Sequence, residues 1–287
     1  LGQNDFEQQL IYLKENFNVI GLRDLVAGFK AGKQVPNNTV VLTVDDGYRD
    51  FYDYAWPLLR KHQIPATFYV TTDFVSHKIW LWPDKIRYIL EETKHNTVDF
   101  EYSGKQFTIT LDSSTSKEQA WSDLADYCLL LKDKEKHQFI DQLSISMGVN
   151  LTKFPAKGYD ALTWKELETL KNGGIEIGAH TINHPKLTSL NSEEAKNEIV
   201  GSKKELEERL GIMVKSFCYP NGTVSDYDDE TIRLVKSAGF DSATVAFQDE
   251  KIHEGLFAIR RMAPTHNLRE FRFLLSGMDI FKRRLSK

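Results

Sequence analysis

Hydrophobic and polar positions follow a recurring cycle along this chain: an amphipathic stretch of helical period, a turn, then a short apolar run that stops at polar or acidic residues. Residues 6–16 place Phe6, Leu10 and Leu13 on one helical face and lead into a strand over 17–20. The run 39–44 is the clearest strand, because Val40, Val41, Leu42 and Val44 are almost unbroken, as in a parallel strand covered on both faces. Asp45 and Asp46 end it. A helix over 50–62, with a kink expected at Pro57, precedes a strand over 66–71. The cycle repeats with a helix over 163–170, Gly173-Gly174, and a strand over 175–179 that ends at His180. Asn191 with Glu194 has the pattern of a capping box opening a charged helix over 192–210, which Gly211 closes before a strand over 216–219. A helix over 229–238, Gly239 and a strand over 242–247 complete the series. Such alternation predicts an α/β fold with a parallel sheet, closed or nearly closed into a β/α barrel.

Residues 76–160 break the rhythm. Two alternating segments, Val98, Phe100, Tyr102 and Phe107, Ile109, Leu111, flank Ser103-Gly104, and a Lys/Glu-rich helical stretch follows. These features predict an insertion containing a β-hairpin within a single domain of residues 1–287. A composition 41% hydrophobic and 27% charged excludes disorder, and no apolar run is long enough to cross a bilayer. Thirty-seven Lys+Arg against 41 Asp+Glu leave a formal charge of −4, which argues against nucleic acid as a partner. Cys128 and Cys218 suggest no disulfide framework.

Chemistry is expected at the carboxyl ends of the strands, where loops project side chains into a shared cleft. Three ends carry unusual polar residues. In Thr43-Val44-Asp45-Asp46-Gly47-Tyr48, two adjacent carboxylates repel each other unless a cation intervenes; the structural alternative is that one caps a helix starting near Tyr48. His180 and His184 are spaced i and i+4, so on a helical turn both imidazoles would reach one ion. With a carboxylate from the first motif they make a three-ligand site suited to zinc or a similar first-row divalent ion. Phe217-Cys218-Tyr219-Pro220-Asn221-Gly222 ends a strand in a loop able to turn a backbone N–H toward an oxyanion.

These motifs resemble those of the NodB-homology polysaccharide deacetylases, carbohydrate esterase family 4. Thr-Val-Asp-Asp-Gly matches the family's first motif, His180 to His184 the second, and Phe-Cys-Tyr-Pro-Asn-Gly the third in the form of the poly-N-acetylglucosamine deacetylase branch. The resemblance spans residues 1–75 and 160–287 and leaves the insertion outside. It implies a distorted (β/α)7 barrel, with Asp46, His180 and His184 as metal ligands, Asp45 as general base, and the Asn221 N–H at the oxyanion. The implied cofactor is a divalent ion, zinc first, with cobalt, nickel or manganese as other occupants. The implied partner is a glycan, and the expected setting is extracytoplasmic or cell-envelope-associated, although no signal-peptide pattern follows Leu1.

Two family features are displaced. Cys218 stands where many members carry an arginine that orients the base, so Arg260 or Arg261 is expected to bring that charge from elsewhere, and Arg261 is taken as the catalytic one. The family's general acid is a histidine late in the chain, here His266, or in a permuted branch one upstream of the barrel. His62, His95, His137 and His253 are expected in ordinary exposed roles and His77 at the cleft rim, while Trp80 and Trp82 either stack on sugar rings or fill the insertion's core. The Lys/Glu run 193–208 reads as a solvated helix face. The activity implied is removal of N-acetyl groups from an N-acetylhexosamine-containing glycan. O-acetyl or N-formyl sugar deacylation, and glycan binding without turnover, are the alternatives. Phosphoryl transfer on Mg²⁺ is disfavoured by two histidine ligands.

Overall fold

In the computed structural model, residues 1–246, 255–263 and 265–276 are described. The parallel strands are β1 (Asn18–Val19), β2 (Thr39–Val40), β3 (Leu42–Val44) and β4 (Ala66–Val70). After the hairpin β5 (Thr97–Tyr102) and β6 (Lys105–Thr110) come β7 (Glu176–Ala179), β8 (Ser216–Cys218), β9 (Ser242–Val245) and β10 (Ile259–Arg260). The helices are α1 (Gln3–Asn16), α2 (Leu22–Lys30), α3 (Trp56–His62), α4 (Thr72–Val75), α5 (Trp82–Glu92) and α6 (Ser114–Leu130). They continue with α7 (Asp133–Ser146), α8 (Trp164–Asn172), α9 (Ser192–Leu210), α10 (Asp229–Ser237) and α11 (Leu268–Leu275).

A six-stranded sheet runs β10-β9-β8-β7-β4-β3, with every pairing parallel. The expected single strand over 39–44 is divided at Val41: Thr39–Val40 pairs with β1, and Leu42–Val44 pairs with β4. One apolar run therefore turns a barrel corner by changing partners. Counting it once, seven parallel positions follow one another from β1 to β10. Val41 packs with Leu22, Tyr69, Cys218 and Ile259 in a small interior cluster enclosed by the curl. A larger core fills the space between the sheet and its outer helices, and includes Phe68, Leu167, Ile199, Leu206 and Phe217. All of β4 is buried, consistent with its near-continuous apolar sequence.

The kink expected at Pro57 takes the form of a π-helical stretch over Phe51–Ala55, with α3 starting at Trp56 and Pro57 in its first turn, where no intrahelical donor is required. The hairpin forms where alternation predicts, its Ser103-Gly104 turn holding φ of 50° and 77°, the pattern of a type I′ connection. With α5, α6 and α7 it encloses a core of its own, including Trp82, Ile86, Phe100, Phe139 and Leu143. Trp80 and Trp82 are each 4% exposed, so stacking on a sugar face is corrected to packing: Tyr159 lies over Trp80, and Lys136 sits over the Trp82 ring. His77 follows the Ser76 cap of α4, its N–H donating to the Phe74 carbonyl at 2.9 Å, and His62 pairs with Glu7; His253 and position 247 lie outside the described residues. Among the described residues no helix is long and apolar enough to cross a membrane.

Candidate metal centre

Asp45 and Asp46 leave the carboxyl end of β3 and face opposite tasks. Asp46 adopts φ of 80°, an uncommon left-handed conformation for a non-glycine, and its carbonyl accepts from Thr71 N–H at 3.0 Å. Gly47 follows at φ 113°, where a Cβ would stand 2.8 Å from Val75, so this turn excludes side chains. Neither aspartate caps a helix; residues 51–55 start from Asp50 without a side-chain cap.

The segment from His180 to His184 is a loop, not the helical turn expected from the i, i+4 spacing. Thr181 and His184 both have positive φ, 66° and 58°, which folds the chain so that the two rings lie 4.8 Å apart at their centroids. The Thr181 hydroxyl accepts the His184 N–H at 3.0 Å, and neighbouring backbone N–H groups at Thr72 and Asp73 donate to the carbonyls of Thr181 and Ile182. From α9, the Glu198 carboxylate accepts the N–H groups of Ile182 and Asn183 at 2.8 and 2.9 Å, and the Asn183 side-chain amide at 2.9 Å. Glu198 thus corrects the reading of residues 193–208 as a purely solvated face. Charge patterning alone could not single it out among so many Lys and Glu residues.

His180 Nε2 and His184 Nε2 approach the same Asp46 oxygen at 3.3 and 3.4 Å. Bonds of roughly 2.0–2.2 Å to a tetrahedral ion give edges of about 3.3–3.6 Å, so these separations fit a shared ion. His180 Nδ1 meets the Cys218 carbonyl at 2.7 Å; a carbonyl only accepts, so Nδ1 carries a proton and Nε2 is the ring nitrogen turned toward Asp46, the one that would ligate an ion. Burial holds His184 down to about 4, leaving a neutral ring able to ligate. A second cluster, Asp45, His180 and Cys218, also brings its ligand atoms within 4.8 Å of one another, but Asp45 is committed elsewhere.

That commitment is to Arg261, just beyond β10. Its Nη1 and Nη2 donate to the two oxygens of Asp45 at 2.7 and 2.6 Å, and its Nε donates to the Val245 carbonyl at 3.0 Å. Nη2 also lies 3.2 Å from Cys218 Sγ and Nη1 3.1 Å from the Thr43 hydroxyl. The small Cys218 side chain leaves room that this guanidinium occupies from the neighbouring edge. Burial pushes the Asp45 carboxyl up, but the paired guanidinium outweighs it, and the net direction is down.

Asn221 sits at φ 59° before Gly222, whose Cβ would lie 2.6 Å from Ala246 N, so this loop also needs glycine. With Tyr219, Pro83 and Met262, Asn221 lines the cleft of about 430 Å³ that contains Asp45, Asp46, His180, His184 and Arg261. His266 is not brought into it; that histidine is exposed in the turn before α11, and the adjacent Thr265 carbonyl is tied to Gln9 of α1. One partly buried acid went unread in the sequence: Asp84, in the first turn of α5, accepts the Tyr48 hydroxyl at 2.7 Å. Burial raises Asp84 to about 7. Its Trp-Pro-Asp setting gave only the ordinary signal of a helix start.

A polysaccharide deacetylase family model matches residues 32–127 and 135–243. The likeness therefore extends through much of 76–160, beyond the limits expected from the motifs. The chain is 25% identical over 183 residues to the poly-beta-1,6-N-acetyl-D-glucosamine N-deacetylase of Staphylococcus aureus (strain MRSA252), covering 62% of this chain and 60% of that relative. It is 37% identical over 60 residues to the enzyme of the same name from Escherichia coli (strain K12), covering 21% of this chain and 9% of the relative. It thus spans less than two thirds of either relative's length. Among solved structures it resembles the Streptococcus pyogenes deacetylase PplD, with a TM-score of 0.59 and 19% identity over 94% of this chain and 85% of that one. IcaB from Ammonifex degensii gives a TM-score of 0.57 and 15% identity over 96% and 88%. Both likenesses support the distorted (β/α)7 barrel. Matched over well more than half its length, the chain belongs to the polysaccharide deacetylase family.

Proposed function

We propose that this protein is a metal-dependent hydrolase that removes N-acetyl groups from an N-acetylhexosamine-containing polysaccharide, with a poly-β-1,6-N-acetylglucosamine as the polymer its relatives' names suggest. The observation that carries the reading is the meeting of Asp46, His180 and His184 around one point, beside a carboxylate pinned by arginine. Asp46, His180 and His184 would hold the divalent ion, zinc before cobalt, nickel or manganese. Bound there, such an ion supplies Lewis acidity that polarises an acyl oxygen and acidifies water.

The remaining work falls to the chain's own groups. Asp45, kept ionised and oriented by both Nη atoms of Arg261, accepts the proton of the attacking water at a carboxylate oxygen. The Asn221 backbone N–H serves as a donor to the developing oxyanion. His266 stands outside the cleft, so the proton the departing amine needs would come from Asp45, which gives up the one it took from the water as the carbon–nitrogen bond breaks. Glycan binding without turnover rests on Cys218 in the place of an arginine and on a general acid without a dedicated histidine in the cleft; Arg261 on Asp45 removes the first of these grounds and supports turnover. A polymeric glycan substrate also supports an extracytoplasmic or envelope setting.

Acetate release from N-acetylglucosamine oligomers, run beside acetylated xylan and an N-formyl sugar, tests the reading. The oligomers are expected to be the productive substrate, and Asp45→Asn to lower kcat by roughly 10²–10⁴-fold with bound metal retained. Release from xylan alone would move the activity to ester cleavage, and full turnover by Asp45→Asn would remove that residue from the base role.

A further inference from the structure

The two histidines of the metal centre are oriented by different means. His180 is fixed at its ring, where Nδ1 meets the Cys218 carbonyl at 2.7 Å. His184 has no such contact: its Nδ1 is buried and finds no partner among the described residues. A ligating imidazole is ordinarily held by the bond that its second nitrogen makes, and that bond sets which way the ring points. For His184 the direction of the ring must come from the backbone instead. That backbone belongs to a loop with positive φ at both Thr181 and His184, a conformation that surrounding contacts have to impose.

The loop is pinned from two sides. On one, the N–H groups of Thr72 and Asp73, at the start of α4, donate to the Thr181 and Ile182 carbonyls at 3.2 and 3.0 Å. The N–H groups of Ile182 and Asn183 point the other way, toward α9, and there Glu198 takes them both. One of its carboxylate oxygens accepts the two backbone N–H groups at 2.8 and 2.9 Å, and the other accepts the Asn183 side-chain amide at 2.9 Å. Helix α9 comes this close because residue 201, one turn beyond Glu198, is glycine: a Cβ there would stand 2.5 Å from the Ile182 side chain. Other glutamates of α9 behave as a solvated face predicts, Glu207 pairing with Lys203 and Glu205 with Arg209 at i, i+4 spacing. Glu198 has no ion pair among the described residues, so its carboxylate is spent wholly on the histidine loop.

We propose that Glu198 is a positioning residue of the metal centre: by taking two consecutive backbone N–H groups it fixes the turn that aims His184, and thereby sets how tightly the centre holds its ion. The proposal rests on the reading of Asp46, His180 and His184 as ligands. Glu198 is not among the residues lining the metal cleft, so it acts on the ion through His184 and leaves the chemical step to others. Zinc affinity of the chelated full chain, read by competition with a chromophoric chelator, tests the role alongside Tm of the metal-free chain and kcat at saturating zinc. Glu198→Ala is expected to weaken zinc binding by roughly 10–100-fold, the usual cost of losing a group that orients a ligand. Glu198→Asp keeps the charge but draws it back by one methylene; it should lose affinity in the same direction, and it serves where the alanine variant does not fold. Glu198→Gln keeps an oxygen for the two N–H groups and is expected to recover most of the loss, its amide facing an Asn183 side chain turned over to accept. All three should reach the wild-type kcat once zinc saturates. A role confined to folding would lower Tm of the metal-free chain and leave the zinc affinity of the folded protein where it was. That result overturns the proposal, as does a glutamine variant that loses as much as alanine, or a kcat that saturating zinc does not restore. A wild-type chain that takes up no zinc would overturn the metal centre itself, and the part of Glu198 with it. Zinc affinities that follow the expected order in a chain releasing no acetate would uphold Glu198 while the deacetylase reading fails.

Discussion

Asp45 needs to be ionised, oriented and yet close to a divalent ion, and Arg261 is the group that reconciles those demands. Without the guanidinium, burial is left as the main influence and pushes the carboxyl upward. Arg261→Met is therefore expected to move the acid limb of the kcat/KM profile to higher pH and to lower kcat/KM by at least about tenfold, the loss of a charge-assisted pair. An unmoved acid limb would count against the pairing as the source of Asp45's ionisation. Asp84 gives an opposite case. Its folded value, about 7, lies above the ordinary 3.8, so the folded chain binds the extra proton and stability falls as pH rises between those values. Asp84→Asn, a permanently neutral stand-in, should flatten Tm across that window; parallel Tm curves for the two proteins would refute the assignment. The four residues Asp45, Asp46, His180 and His184 were legible because their motifs are contiguous. Arg261 was legible only as a missing charge, since its place beside Cys218 depends on how β10 returns to β3. Glu198 and Asp84 were hidden because a Lys/Glu-rich helix and a helix start give each an ordinary reading.

At the scale of elements, strand ends and their turns decide where the ligands go. Gly47 lets the chain leave β3 with Asp46 in the cleft, and Val75 occupies the space any Cβ would need. Gly47→Ala is expected to destabilise the fold on the order of 1–3 kcal/mol and to lower metal retention with it, as thermal denaturation and metal content would show. An unchanged Tm and metal content would mean the turn tolerates the side chain. Periodicity located most helices and strands, and the capping box at Asn191 opens α9 as expected. It failed where tertiary contacts override local pattern. The run 39–44 is uniform in sequence but divided between two partners, and the two histidines have helical spacing in a loop held by Thr181 and Glu198.

For the whole molecule, closure and chemistry coincide. β3 and β10 are the two edges of the six-stranded sheet, and the Arg261 pair with Asp45 joins the residues that follow them. A barrel held open at that seam would lose both the base and the shape of the cleft. The hairpin and helices α5 to α7 carry their own core, yet Pro83 at the start of α5 lines the metal cleft, so this segment forms part of the cleft wall. The most direct test of the account is metal titration of the chelated chain with acetate release from N-acetylglucosamine oligomers as the readout. Activity should be absent after chelation and return in proportion to added Zn²⁺ up to about one equivalent per chain, the stoichiometry of a single three-ligand site, and His184→Ala should fail to recover over the same range. Full acetate release by the metal-free chain, or recovery by His184→Ala at the same equivalence, would contradict it.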